Sequence, residues 1–406
     1  MASSMMNWSY SGPTATEPKE WRVRSRILLA AFVVTITSIA AAQEPKLKTR
    51  TKEQRDRAYL ESHRVTMNVQ VNDADGRPVQ NLAAEDFVVF DNHRPREIGA
   101  LHEIDGLGMY DATEILIVLD AVNSTAQELD AERQGIFKYL AQSKGPLPYR
   151  TSFVLWFNGH LKVTSATTDR NAVGRAFVKM TKDLHSNACA PVDGSVAQAV
   201  EGGGVGALGQ SGIGDRLVSI AQCLEVHFRD SIAALDGIAA QQKNIGGRTI
   251  LIWVGPGWPL LSDVEFQRLS PKAKRSFFDE TVNLLRDLRE AQVTVDALSP
   301  RDGTREAEMA RVDMAALDAG TVSPQNAGPA SLALQVLARQ TGGRVLNESN
   351  DVTADLSSCI RDADGYYILT FDMMRTTAPH EFHPVEVKVN RPDLQVRTIT
   401  AYYAEP

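Results

Sequence analysis

Seven residues, Glu114-Ile115-Leu116-Ile117-Val118-Leu119-Asp120, constrain this chain more than any others. An aliphatic run without polar interruption suits a strand buried on both faces, the situation in a parallel sheet covered by helices on each side. In open sheets of that kind the ligand crevice lies beyond the carboxyl ends of the strands. Asp120 therefore falls at the rim of a crevice, with Asn123, Ser124 and Thr125 on the loop behind it. Carboxylate, amide and hydroxyl oxygens grouped in this way replace the hydration shell of hard divalent cations.

The segments that follow alternate between strand and helix. Buried strands are predicted at 151–157, 249–254 and 293–298, with a short last one at 344–346, and helices at 128–142, 216–244, 271–292, 331–340 and 351–361. Asn158-Gly159 is a hairpin signal leading into an edge strand over 161–167. Thr168 or Asp169 then caps a helix over 171–180. On either side lie alternating strands: 65–71, 87–90 and 96–104 before, and 365–371, 384–389 and 395–402 after. Neither set has enough strands to close a core alone. Together they predict a small β-sandwich made of N- and C-terminal strands. The fold class is therefore α/β, a Rossmann-like, mostly parallel six-stranded sheet flanked by helices and inserted in that sandwich. The boundaries are 63–105 for the N-terminal β module, 112–361 for the α/β domain and 364–406 for the C-terminal β module.

Asp120-Ala121-Val122-Asn123-Ser124 resembles the metal-site loop of the von Willebrand factor A (VWA) family, which reads Asp-x-Ser-x-Ser. The aspartate and last serine match, Val122 replaces the middle serine, and Asn123 offers an oxygen from a shifted position. The leader resembles that of a bacterial, acidobacterial-type VWFA-related family. Its motifs are Asp75-Gly76-Arg77-Pro78-Val79, then Leu82-x-x-x-Asp86-Phe87, then Val88-Val89-Phe90-Asp91-Asn92. The resemblance spans roughly residues 63 to 375. It implies an antiparallel edge strand after Asn158-Gly159 and a threonine, Thr167 or Thr168, completing the metal site from a second loop. It also implies an acidic third loop, but Gly255 stands where that family carries aspartate. The expected ligand set, Asp120, Asn123, Ser124 and Thr167 or Thr168, would hold Mg2+ or Ca2+ only weakly, because few of its ligands are charged. Gly255-Pro256-Gly257-Trp258 reads instead as a rigid turn presenting an aromatic to a protein partner.

Export is expected from the N-terminus. Arg22, Arg24 and Arg26 precede an apolar stretch over 27–40 and an Ala40-Ala41-Ala42 cleavage site, so 1–42 reads as a signal peptide, or as an uncleaved signal anchor, and 43–62 as a charged tether. Of three cysteines, Cys189 and Cys223 are the expected disulfide pair in an exported chain, the alternative being three unpaired thiols. The glycine-rich insertion over 182–215 contains Gly204-x-Gly206-x-x-Gly209, but without the strand and helix that a dinucleotide site needs. A net charge of −7 gives no sign of nucleic-acid binding. His380 and His383 read as surface residues of a hairpin loop, and Asp86 and Asp91 as cap or turn residues. No catalytic residue is assigned, since no nucleophile, base and acid come together in any local motif. The expected function is an exported protein-binding or adhesion module with a degenerate metal site, engaging a protein in the cell envelope or outside it. The alternatives are a metal-assisted hydrolase and a structural envelope protein with no active site.

Overall fold

A computed structural model of the chain describes residues 6–8, 63–106, 113–189, 213–258, 270–299, 320–347 and 349–406. Apart from 6–8, the segment expected as a signal peptide lies outside the described residues, as do the expected tether over 43–62, the glycine run at 202–209, Ser262 and the stretch 301–319. In chain order the strands are Met6–Trp8 (β1), Arg64–Asn72 (β2), Phe87–Asp91 (β3), Arg94–Arg96 (β4), Ile98–Asp105 (β5), Glu114–Asp120 (β6), Arg150–Phe157 (β7), His160–Val163 (β8), Thr249–Val254 (β9), Val293–Leu298 (β10), Val345–Leu346 (β11), Gly365–Asp372 (β12), Glu381–Val389 (β13), Gln395–Arg397 (β14) and Ala401–Ala404 (β15). The α-helices are Ala126–Ala141 (α1), Arg170–Thr181 (α2), Ile213–Ile245 (α3), Pro271–Glu290 (α4), Leu334–Gln340 (α5) and Val352–Ile360 (α6).

The central sheet runs β8-β7-β6-β9-β10-β11, with β1 paired to the outer edge of β8. All neighbours are parallel except β8, which returns antiparallel along β7. Counted from β6, this is the 3-2-1-4-5-6 order of doubly wound sheets with its third strand reversed. Both faces are covered, and the alternation of side chains explains why the strands carry apolar residues throughout. Leu116, Val118, Val154, Leu251, Trp253 and Val295 point to one side, against Phe228, Ile232 and Leu235 of α3, Leu284 and Leu288 of α4, and Leu337 of α5. Ile115, Ile117, Phe153, Leu155, Ile250 and Ile252 point to the other, against Leu129 and Ile136 of α1, Val173 and Phe177 of α2, and Leu356 of α6. Helix starts follow their capping residues. Thr125 and Glu128 form a reciprocal capping box on α1, and Asp169, Ser270 and Asp351 accept first-turn N–H groups of α2, α4 and α6.

The remaining strands make two four-stranded sheets, β14-β2-β12-β5 and β15-β13-β3-β4. Val65, Met67, Val69, Tyr367, Leu369, Phe371, Val387 and Tyr402 fill the space between them. Two segments expected as single strands are each split. The chain leaves one sheet at Arg96 and joins the other at Ile98, and it does so again between Arg397 and Ala401. Such corners let one continuous segment serve both layers of a sandwich. The α/β domain therefore lies between β5 and β12, which pair with each other from Gly365↔Asp105 onward.

At the amino ends of the central strands, a cluster of charges joins the two parts. Asp362 accepts from Arg344 and, across the boundary, from Arg397, each at 2.6 Å. Arg248 lies 4.3 Å over the Tyr366 ring and donates to Gln70 and to the Asp362 carbonyl. Asp296, in mid-strand, accepts from the Arg344 backbone N–H at 2.7 Å. Its burial and the nearby Asp362 charge push its pKa up to about 6.

Candidate functional site

Parallel register places Asp120 opposite Trp156 at the carboxyl end of β6, at the crest of the sheet. The side chain alternation turns it toward α3. It is fully buried, and five N–H contacts converge on it. Oδ1 accepts from the backbone N–H of Val122 (3.1 Å) and Asn123 (2.9 Å). The Asn123 side-chain amide reaches both oxygens, at 3.1 and 2.8 Å. Oδ2 also accepts from Trp253 Nε1 at 2.9 Å. Burial pushes the pKa of Asp120 up, and the hydrogen bonds from Asn123, Trp253 and Val122 pull it back only in part.

The polar shell around this carboxylate is made of donors. Because a carboxylate only accepts, Asn123 must turn its NH2 toward it, and the same nitrogen reaches Ser231 Oγ on α3 at 3.1 Å. Trp156 Nε1 donates to that Ser231 oxygen too. Ser124 turns its hydroxyl to the buried Glu132, at 2.9 and 3.1 Å from the two carboxylate oxygens. A strap then closes the crest. Asn187 N–H donates to the Ala121 carbonyl and Ser186 Oγ to the Ser124 carbonyl at 2.6 Å. Cys189 at the end of the strap is joined to Cys223 on α3 by a disulfide with Cα atoms 5.8 Å apart.

A divalent cation does not fit this arrangement. It needs oxygen acceptors with an open position between them, whereas Asp120 is enclosed by N–H groups and Val122 supplies only carbon. A third acidic loop is sterically barred, since a Cβ on Gly255 would lie 2.6 Å from the Asp120 Cβ. Gly255 also has φ +148°, which a side chain rarely adopts.

Two expected participants are elsewhere. Thr167 forms a bridge with Thr151, and Trp156, opposite Asp120, lies five residues further along the same strand, about 17 Å away. Thr167 Oγ1 accepts from the Asp169 N–H, and the Thr168 carbonyl accepts from Leu147. Both threonines therefore sit at the opposite end of the sheet from Asp120, because β8 is antiparallel to β7 and carries the chain toward the amino end of β7. Gly255 to Trp258 are all buried, and Trp258 is 4% exposed. Its ring packs edge-on to Trp253, and its Nε1 donates to the Leu332 carbonyl at 2.8 Å. The turn, with Gly257 at φ +78°, sends the aromatic inward and not toward a partner.

His383 was expected at the surface and is instead 1% exposed, inside the sandwich. Its Nδ1 lies 2.8 Å from Asp91 Oδ1, and Tyr402 OH donates to Asp91 Oδ2 at 2.9 Å. The Met374 N–H completes the set around Asp91, which is therefore a buried acceptor and not a turn residue. His380 stays near the surface and meets Glu405 at 2.7 Å.

The sequence reading missed Trp253 and His227 beside Asp120, and Ser231 and Glu132 as partners of Asn123 and Ser124 on its loop. One signal was present: Ser231 and His227 are polar residues beside the apolar stripe of α3. Burial lowers the pKa of His227, against the pull of Asp120 and Asp230.

No family model and no curated protein matches this sequence. Among solved structures it is similar to the human COPII-coat protein Sec24c, at 9% identity and a TM-score of 0.33, covering 75% of this chain and 46% of that one. It is similar to an aerotolerance-related membrane protein of Bacteroides fragilis, at 10% identity and a TM-score of 0.30, covering 62% of this chain and 98% of that one. It is also similar to the manganese-loaded TRAP protein of Plasmodium vivax, at 8% identity and a TM-score of 0.28, covering 79% of this chain and 100% of that one. This chain spans less than half the length of Sec24c. At such identities and scores, nothing about the site is carried over.

Proposed function

We propose that this chain is an exported VWA-type protein-binding module that works without a metal ion and without catalysis. The supporting observation is the sealed crest: the residues that resemble a metal site serve as internal donors and acceptors, which leaves binding to another surface. A candidate among the described residues is a groove of about 430 Å³ between α1 and α2. Phe177 lies at its floor, while Phe137 and Val178 are half exposed at its lip. Arg133, Lys138 and Lys182 flank it. Arg133 is shared with Asp130, so Lys138 and Lys182 carry most of the positive field.

An apolar cleft with a basic rim suits an acidic amphipathic segment of a partner protein, with its apolar stripe in the cleft and its carboxylates against the lysines. Export rests on the basic and apolar pattern over 22–42. No helix among the described residues is long and apolar enough to cross a membrane.

The test is titration of the full chain with an acidic amphipathic helical peptide and with its charge-reversed twin. The acidic peptide is expected to bind, and Phe137→Glu to weaken it by about tenfold or more, equivalent to roughly 1.4 kcal/mol. Equal binding of both peptides, or of neither, sinks the groove as the contact surface.

A further inference from the structure

The disulfide that anchors the strap does not stand alone. Cys223 and His227 are four residues apart on α3, so they share one face of the helix, one turn from each other. Cys189 comes to them from the strap. Its Sγ lies 3.3 Å from His227 Nδ1, and Cys223 Sγ lies 3.8 Å from Nε2. His227 is 8% exposed, and its two ring nitrogens face these two sulfurs; the neutral ring donates its single N–H to one of them, since a disulfide has no hydrogen to give back. One donor atom from each residue lies within 4.8 Å of the others.

Two sulfurs and one imidazole nitrogen at this spacing form the donor set of a borderline-soft cation. Zinc bonds thiolate at about 2.3 Å and imidazole at about 2.0 Å in a tetrahedron, which requires ligand atoms about 3.5 to 3.8 Å apart. An ion takes only one ring nitrogen, and the short contacts run to different ones, Nδ1 for Cys189 and Nε2 for Cys223. The three donor atoms lie within 4.8 Å of one another, so binding draws them in by about 1 Å around the ion. The sulfur–sulfur bond, which is shorter than the zinc geometry allows, opens on reduction. We propose that Cys189, Cys223 and His227 form a zinc site in the reduced protein, mutually exclusive with the disulfide, with the fourth position left to water.

An external dithiol attacks the Cys189–Cys223 bond through a mixed disulfide and leaves as its own disulfide, giving two electrons and two protons to the cysteine sulfurs. Zn2+ then binds both sulfurs as thiolates, and those two protons pass to water. The strap over the Asp120 loop is thus held by one of two staples, a covalent bond or a metal ion. This site is separate from the groove proposed above, and the outcome of one test does not bear on the other.

The experiment reduces the full chain, removes the reductant anaerobically, and titrates Zn2+ and then Co2+. The reduced chain is expected to bind one equivalent, and the oxidised chain none. The cobalt form is expected to show thiolate-to-metal charge-transfer absorption, which Cys223→Ser abolishes. His227→Ala is expected to weaken Zn2+ by more than the roughly 10- to 100-fold typical of losing an outer-shell partner. Cys359→Ala is the control, since that thiol is buried and unbridged, and it should change nothing. Should reduction unfold the chain, regain of helical circular dichroism on adding Zn2+ supports the site, and failure to regain it overturns it. A folded, reduced chain that takes up no zinc, or uptake that survives Cys189→Ser with Cys223→Ser, also overturns it.

Discussion

Asp120 and Asp91 each end a strand, and each is fully buried. Their surroundings differ in one respect that decides their chemistry. Asp120 is surrounded by neutral dipoles, from Val122, Asn123 and Trp253. Asp91 has neutral donors too, in Tyr402 and Met374, but it also has a group that can carry positive charge, His383. Burial pushes both pKa values up. At Asp91 the hydrogen bonds from His383, Tyr402 and Met374 and the His383 charge reverse the shift, so the net is downward. At Asp120 the hydrogen bonds from Asn123, Trp253 and Val122 fall short of the lost hydration, and His227 nearby, whose own pKa burial lowers, does not reverse the balance, so the net stays upward. Dipoles can satisfy every lone pair of a buried carboxylate and still leave its charge under-compensated.

The largest effect that tests this contrast is deletion of each carboxylate. Asp120→Ala strips acceptors from Trp253 Nε1, from the Asn123 side chain and from two backbone N–H groups, all buried. At about 1–3 kcal/mol for each group left unsatisfied, offset by relaxation, a net loss of about 3–5 kcal/mol is expected. Asp91→Ala is expected to cost less, about 2–3 kcal/mol, because His383 can shed its proton once the carboxylate is gone. Denaturant midpoints at constant slope measure both. A loss below about 1 kcal/mol at Asp120 would mean that the donors find water, and the crest would then be open, not sealed.

The two aspartates also tilt stability with pH in opposite directions. For Asp91, whose folded pKa is depressed, the contribution is present above the unfolded value of 3.8 and lost as pH falls through the folded one. For Asp120, whose folded pKa is raised, the contribution is present below 3.8 and lost as pH rises through the folded value. His383 adds a limb at higher pH. Burial pulls its pKa down, but the hydrogen bond and charge of Asp91, with Glu381 beyond, outweigh this and leave it above 6.5. Its contribution is full below 6.5 and lost as pH rises through the folded value. Unfolding free energies of wild type and His383→Gln, measured from pH 5 to 9, are expected to differ in slope, with the decline above 6.5 missing from the variant. Parallel curves would show that His383 titrates alike in the folded and unfolded protein, and the contrast between the two aspartates would lose its cause.

These sites also show what the residue order conveys and what it withholds. The aliphatic run ending at Asp120, the hairpin at Asn158-Gly159 and the capping residues Asp169 and Ser270 are local signals, and local geometry follows them. The order and hand of the central sheet come from the same runs, because parallel strands joined by helices have few ways to arrange themselves. The partners of a buried polar group are another matter. Asp91 and His383 are 292 residues apart, and no period or spacing links them. Trp258 follows a Gly-Pro-Gly turn, which resembles a display loop until Trp253 is seen to receive its ring. Thr167 was misplaced for a smaller reason, the antiparallel run of β8, which carries the chain to the far end of the sheet.

The smallest expected effect is the one that most sharpens the contrast. If the Asp120 crest held Mg2+ or Ca2+ even at millimolar affinity, a tenfold excess over Kd would stabilise the fold by RT ln 11, about 1.4 kcal/mol, visible as a rise in melting temperature. With its lone pairs already taken by N–H donors and the strap closing over Ala121 and Ser124, the expected shift is nil for either ion. Asp120→Asn is expected to give the same flat response from a lower starting point. A rise in wild type that vanishes in Asp120→Asn would mean that the Asn123 amide turns over to present its oxygen and that Trp253 releases the carboxylate. The ion would then supply at Asp120 the positive charge that His383 supplies at Asp91.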